Sequence, residues 1–203
     1  GKMMMSTSTD DGKTWSAAKT VQDAGPNVDD RGGGILAISN KEWLAAYFTT
    51  DANSVSRAWT TRTTDGGATW SAPALVNPTM TENSAARGAP IKLSTGELVL
   101  PYYRGGTTMQ ALAAVSSDNG RTWTTYAVPN AAGFNGNEWT VVELPDGTLA
   151  GVVRTDAAGS DGSQWVTKST DKGKTWSTPQ KTNLRDESGL SWKSPAQIFL
   201  HEG

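Results

Sequence analysis

The 203-residue chain holds 36% hydrophobic residues, 22 glycines, nine tryptophans, no cysteine and one histidine, with a formal net charge of −2. Mixed charge without a basic stripe argues against nucleic acid as a partner. The lack of cysteine rules out disulfides and thiolate chemistry, and a lone His201 rules out a histidine triad or a multi-histidine metal site within the chain. No run approaches the ~18 apolar residues of a membrane span, and no charged-then-apolar leader opens the sequence, so neither a span nor a signal peptide is expected.

In chain order, the first expected strand covers residues 3–9 and runs into an eight-residue box, Ser8-Thr9-Asp10-Asp11-Gly12-Lys13-Thr14-Trp15. The same pattern, Ser/Thr-x-Asp-x-Gly-x-Thr-Trp, returns at 63–70, 116–123 and 169–176. Its aspartates, Asp10, Asp65, Asp118 and Asp171, stand 55, 53 and 53 residues apart. A fixed period of that size marks a supersecondary unit that cannot bury its apolar face alone.

Between boxes, period-2 apolar alternation predicts a first strand at 34–38, 90–93 and 140–144. Turns at 39–41, 94–96 and 145–147 lead to a second strand at 43–48, 98–103 and 149–153. A third strand at 56–63, 109–116 and 164–169 enters the next box, and a short fourth strand follows it. No 3.6-residue stripe is sustained, so helix is expected to be scarce. The fold class that results is all-β: one domain over 1–203, a β-propeller of four-stranded antiparallel blades, with three complete blades plus end strands. The last expected strand, 194–200, either pairs with the first as a closure or leaves open edges through which a homo-oligomer forms.

The box has a mechanical reading. Its aspartate accepts backbone N–H groups just ahead, the glycine supplies positive φ, and the Thr-Trp pair opens the next strand with the indole packed on the blade. The four aspartates are therefore structural. Calcium loops need more carboxylates than the one each box shares, so no metal is expected.

The box resembles the Asp-box, or BNR repeat, of the sialidase (neuraminidase) superfamily, whose catalytic domain is a six-bladed β-propeller. A second segment carries the resemblance further. Residues 137–149, Asn-Glu-Trp-Thr-Val-Val-Glu-Leu-Pro-Asp-Gly-Thr-Leu, ending at Arg154, are similar to the family's Glu-x-x-x-Val-Glu-Leu-x-Asp-Gly-x-Leu…Arg stretch. Residues 88–93 and 98–101 are similar to the blade just upstream. The resemblance implies a sialidase-like glycoside hydrolase acting on sialylated glycans or another carbohydrate, without a cofactor, in a secreted or extracytoplasmic setting. It gives Glu138 the role of assisting a tyrosine nucleophile and Arg154 a place in a triad that clamps the substrate carboxylate. A planar guanidinium suits that clamp because it holds a carboxylate by two parallel charge-assisted hydrogen bonds. Antiparallel pairing would bring Glu138, at a first-strand start, beside Arg154, at a second-strand end.

Other parts of the family pattern have no counterpart here. The Arg-Ile-Pro motif and the aspartate acid/base precede the first box in the family, and the third arginine and the nucleophilic tyrosine follow the fourth. A six-bladed ring is thus not expected from one such chain. Arg31 and Arg87, at first-strand starts comparable to that of Glu138, are candidate substrate-binding residues. Asp29, Asp30 and Asp51 are candidate acids, and of Tyr102 and Tyr103 alternation sends only one toward a given face. Glu143 and Asp146 follow from alternation and turn chemistry. Trp139 is either a sugar-stacking platform or packing between blades. The alternative reading of the whole is a non-catalytic Asp-box propeller that binds glycans or serves assembly.

Overall fold

Apolar alternation cut by Gly, Asn and Asp turns gives a run of antiparallel hairpins. The computed structural model describes residues 1–185 and 197–200. The expected closure strand at 194–200 and His201 fall partly or wholly outside the described residues; 197–200 belong to no strand. Among the described residues no helix occurs, so none is long and apolar enough to cross a membrane.

A two-stranded hairpin, β1 (Met3–Met5) and β2 (Lys19–Gln22), comes first. Blade 1 follows in the order β3 (Val28–Ala37), β4 (Trp43–Asp51), β5 (Ser56–Thr63) and β6 (Ala74–Leu75). In blade 2, β7 (Ser84–Ala85) and β8 (Ile91–Lys92) both pair with β9 (Leu98–Arg104), which is followed by β10 (Gln110–Ser116) and β11 (Thr124–Ala127). Blade 3 is β12 (Gly136–Glu143), β13 (Leu149–Thr155), β14 (Trp165–Ser169) and β15 (Gln180–Lys181). Three four-stranded units plus end strands are what the repeat predicts. Two local differences stand out. The first strand of blade 2 is broken, so Arg87 lies in the unpaired stretch between β7 and β8 rather than at a strand start. The opening strand ends at Met5 rather than running to 9, because the backbone from Ser8 onward turns into the box.

The first box joins β1 to β2, the other three join the third strand of a blade to its fourth, and all four use one bonding scheme. In the third box, Asp118 Oδ1 accepts the Ser116 hydroxyl at 2.7 Å and the Thr122 amide at 2.9 Å, and Oδ2 accepts the Thr122 hydroxyl at 2.6 Å. The Ser116 hydroxyl in turn accepts the Gly120 amide at 2.8 Å, which explains the invariant Ser or Thr that opens the pattern. Asp10, Asp65 and Asp171 repeat the arrangement with Thr14, Thr69 and Thr175. Two consecutive residues in each box adopt left-handed backbone, as at Asn119 (φ 59°) and Gly120 (φ 79°).

The boxes also seat one blade on the next. A Cβ built on Gly120 would fall 2.6 Å from Leu44 of blade 1, and one on Gly67 would fall 2.6 Å from Met5. Lys172 of the fourth box bonds Glu97 in the β8–β9 turn at 2.5 Å. One apolar cluster (Ala46, Ala58, Val76, Ala86, Leu100, Leu112, Ala114) fills the junction of blades 1 and 2. A second, with Val99, Ala113, Val141, Leu149, Trp139 and Trp176, fills that of blades 2 and 3. Small alanines at 0% exposure let the sheets approach closely. The box indoles are not alike in packing: Trp176 is 6% exposed, but Trp15 is 64% exposed because the narrow β1–β2 hairpin gives it little sheet to cover.

Candidate functional site

Strand polarity puts chemistry and boxes on opposite edges of the blades. Ser169, which opens the fourth box, pairs with Leu149, at the end of β13 away from Arg154. Glu143 and Asp146 lie at that box edge too. Glu143 accepts the Ser94 amide at 2.7 Å and the Ser94 hydroxyl at 2.8 Å, linking blade 3 to blade 2, while Asp146 caps its turn through the Thr148 amide at 2.9 Å. Both are structural, as alternation and turn chemistry imply.

At the opposite edge the innermost strand of each blade departs from regular pairing at the same level. In blade 1, Gly32 and Gly33 face Tyr47 alone; in blade 3, Asn137 and Glu138 face Arg154 alone. In blade 2, residues 86–90 stand across from 100–102 without ladder pairing. Extra residues of this kind re-aim side chains out of the sheet plane. Blade 1 fills the bulge with glycine, whereas blades 2 and 3 place Arg87 and Glu138 there.

Glu138 is the centre of the resulting cluster. Its side chain is 7% exposed and both oxygens are engaged: Oε1 with Arg87 Nε at 2.6 Å and Oε2 with Arg154 Nη1 at 2.8 Å. Its own amide donates to Asn137 Oδ1 at 2.7 Å. Arg154 Nη2 reaches Asp156 Oδ1 at 2.8 Å, and Asn137 Nδ2 donates to the other oxygen of Asp156. Arg87 lies over the Phe48 ring of blade 1, 5.1 Å from its centroid, an arrangement favoured by the ring quadrupole. A buried carboxylate is tolerated here because two cations offset its desolvation.

Tyr103 completes the wall. Burial raises its phenol pKa, the Glu138 charge adds to that, and Arg87 and Arg154 offset part of it. The phenol therefore stays protonated at neutral pH and can act as a hydrogen-bonding group. Its ring also borders a 420 Å³ cavity between blades 1 and 2 that includes Ser56, Asn83 and Met109. Tyr102 points the other way: it is 1% exposed and its hydroxyl meets Thr125 Oγ1 at 2.6 Å.

The remaining sequence candidates are not brought to Glu138. Arg31 pairs with Asp29, which also takes the N-terminal ammonium at 2.9 Å. Asp30 is buried in blade 1 and accepts the Ala24 amide at 3.0 Å. Asp51 caps its loop through the amides of Asn53 and Val55 at 2.9 Å. Trp139 is 2% exposed; its indole N–H donates to the carbonyls of Tyr102 (2.8 Å) and Leu112 (3.2 Å), and its ring meets Trp176 edge-on at 5.0 Å. That is packing between blades. Asn137, Asp156 and Phe48 join the cluster without having been picked out by the sequence. Asp156 had one usable signal, its i+2 spacing from Arg154 at a strand end; Phe48 had none, since its contact is made across blades.

Residues 2–194 match the family described as BNR repeat-like domain. The chain is 27% identical to a sialidase of Bacteroides fragilis (strain YCH46), across 85% of this chain and 36% of that protein. It is 33% identical to an exo-alpha-sialidase of Arthroderma benhamiae, across 54% of this chain and 25% of that protein. The chain thus spans about a third or less of the length of these curated relatives. Among solved structures, a Dyadobacter fermentans protein of unknown function superposes with a TM-score of 0.77 at 20% identity, covering 91% of this chain and 59% of that one. Trypanosoma rangeli sialidase superposes with a TM-score of 0.70 at 20% identity, covering 87% and 32%. At these identities the likeness is one of fold: a partial sialidase-like propeller.

Proposed function

The chain belongs to the BNR repeat-like domain family of the sialidase superfamily, and on that premise we propose that it carries part of the sugar site of a sialidase-type glycoside hydrolase acting on sialylated glycans. The observation that carries this reading is Glu138, held at both oxygens by Arg87 and Arg154 in an inner-strand bulge away from the boxes.

Sialidases differ from most glycosidases in using tyrosine as nucleophile. A neutral phenol attacks poorly, so a fixed carboxylate must withdraw its proton as the bond forms. Glu138 suits that task because its position is set from two sides and from its own backbone amide. The guanidinium groups beside it suit a sugar that bears a carboxylate, since a planar fork meets a carboxylate edge-on. In this reading Glu138 is the catalytic residue, with Arg154, Arg87 and Arg31 as candidate substrate-binding residues. Of the three, Arg31 has the weakest support, being engaged with Asp29.

A turnover assay with a fluorogenic sialoside tests the proposal. Hydrolysis that is abolished by Glu138→Gln, with the fold intact by circular dichroism, supports it. The absence of both turnover and saturable sialoside binding at high concentration of the 203-residue protein defeats it for this chain.

A further inference from the structure

Blades 1 and 2 differ at one repeated position. Trp59 and Leu112 each stand six residues before a box aspartate, Asp65 and Asp118. Across the sheet they pair with Tyr47 and Tyr102, so the two tyrosines are equivalent. In blade 2 the position is closed: the Tyr102 hydroxyl meets Thr125 Oγ1 at 2.6 Å, and Asn77 Nδ2 donates to the same oxygen at 3.3 Å. In blade 1 the β5–β6 register, carried one step past the Thr60–Ala74 pair, puts Pro73 where Thr125 stands. Gln22 takes the place of Asn77, each lying twelve residues past its box aspartate. Proline brings no hydroxyl. The Tyr47 phenol, in a side chain 1% exposed, has no hydrogen-bond partner among the described residues. A cavity of 390 Å³ takes up the space, walled by Tyr47, Trp59, Thr49, Asp51, Gln22 and Pro73.

We propose that this cavity is a second carbohydrate site, separate from the Glu138 cluster and selective for a neutral hexopyranose. Tyr47 and Phe48 are adjacent in β4 and face opposite sides of the sheet. Arg87, seated on Phe48, and the cavity therefore lie on opposite faces of blade 1. The volume falls toward the lower end of the range for small-molecule sites, about 300–1,000 Å³. An indole beside a phenol offers apolar surface to the C–H face of a pyranose ring, with polar groups at the margin for its hydroxyls. Trp59 gives its N–H to Thr49 Oγ1 at 2.9 Å, which leaves the Thr49 hydroxyl proton to donate. Burial and the Asp30 charge raise the Tyr47 pKa, so its phenol stays protonated and is a second donor. Asp51 takes two loop amides on Oδ1, and its Oδ2, without a partner among the described residues, is an acceptor. Charge sets the selectivity. Arg57 also lines the cavity, but its guanidinium donates to the carbonyls of Ser56, Thr81 and Glu82. An acidic sugar would meet the carboxylates of Asp51 and Asp30 and a cation already held by the backbone, a like-charge arrangement that is costly.

The experiment measures binding of methyl β-D-galactopyranoside to the 203-residue protein by saturation-transfer NMR, with N-acetylneuraminic acid as competitor. The galactoside is expected to bind and not to be displaced by the acid. Trp59→Leu, which installs the residue that blade 2 carries, is expected to weaken binding about tenfold. Tyr47→Phe removes a hydroxyl that bonds nothing in the protein; it is expected to weaken binding about fivefold and leave the urea midpoint unchanged. Glu138→Gln is expected to bind the galactoside as the wild type does. No saturation transfer from the wild type at about 10 mM sugar overturns the proposal. Binding that survives both Trp59→Leu and Tyr47→Phe, or that is lost in Glu138→Gln or displaced by the acid, places the sugar elsewhere and overturns it too. The Glu138 reading is untouched by either result, since its own test is sialoside turnover and binding.

Discussion

Glu138 and Arg154 are 16 residues apart in the chain and 2.8 Å apart in space, joined across the β12–β13 pair at the one point where its register slips. In a regular ladder Glu138 would share a face with alternate residues of β12; the bulge turns it instead toward Arg87 of the neighbouring blade. The site is therefore an inter-blade construction resting on one inserted residue.

The first expectation concerns that ion network. Arg154→Ala should destabilise the fold by about 3 kcal/mol, because it leaves the mostly buried Glu138 with one exposed cation. The combined Glu138→Gln, Arg154→Ala variant should recover part of the loss, since the orphaned charge is gone. Urea unfolding midpoints of the single and double variants measure this; additive losses would mean that the two residues do not interact.

Box glycines separate backbone strain from packing. Gly66 (φ 74°) and Gly120 (φ 79°) share a left-handed backbone, but a Cβ on Gly66 meets nothing within 4 Å and one on Gly120 meets Leu44 at 2.6 Å. Gly66→Ala should cost about 1 kcal/mol of left-handed strain. Gly120→Ala should cost about 2 kcal/mol more, through overpacking at the blade junction. Equal losses in chemical denaturation would show that the boxes do not seat the blades.

Acid stability should follow the boxes. The Thr14 hydroxyl and amide, with Ser8, hold the Asp10 carboxyl down at about 2, below its ordinary 3.8. Thr69 and Thr63 lower Asp65 likewise, and at Asp118 and Asp171 burial opposes a larger lowering by hydrogen bonds. On acidification the unfolded chain therefore takes up protons before the native boxes do. The box contribution is complete above about pH 4 and is lost as pH falls toward about 2. Melting temperature against pH should drop through that window, and Asp→Asn box variants should flatten the slope. A wild-type curve level across the window would contradict this.

Trp139 tests packing against sugar contact. Trp139→Phe leaves the Tyr102 and Leu112 carbonyls without their donor and should cost about 1–3 kcal/mol. Trp139→Ala should cost about 3–5 kcal/mol through the cavity it leaves. Sialoside affinity of the folded Trp139→Phe variant should match the wild type; a matching loss of affinity and stability would return Trp139 to the ligand surface.

Much of the architecture was legible before folding. Asp10, Asp65, Asp118 and Asp171 recur at one period, and local hydrogen bonding from residues within four positions explains each one. Local chemistry is readable from local sequence, so strand order, box geometry and the meeting of Glu138 with Arg154 all followed. The site was only half visible. Arg87 and Glu138 come from blades whose relative placement depends on side chains packed between sheets, and Phe48 enters from a third strand system in blade 1.

What the sequence determined by itself is the repeating unit: three blades, their hairpins, and four turns closed by one aspartate each, since the turns depend on contacts within four positions and the hairpins on pairing between consecutive strands. What the tertiary structure decided is which charges meet. Arg31 and Arg87 looked alike in the chain, yet one pairs with Asp29 at the margin and the other bonds Glu138 over Phe48. The difference lies in register slips of the inner strands and in the packing of blade on blade, which no periodicity in the chain records.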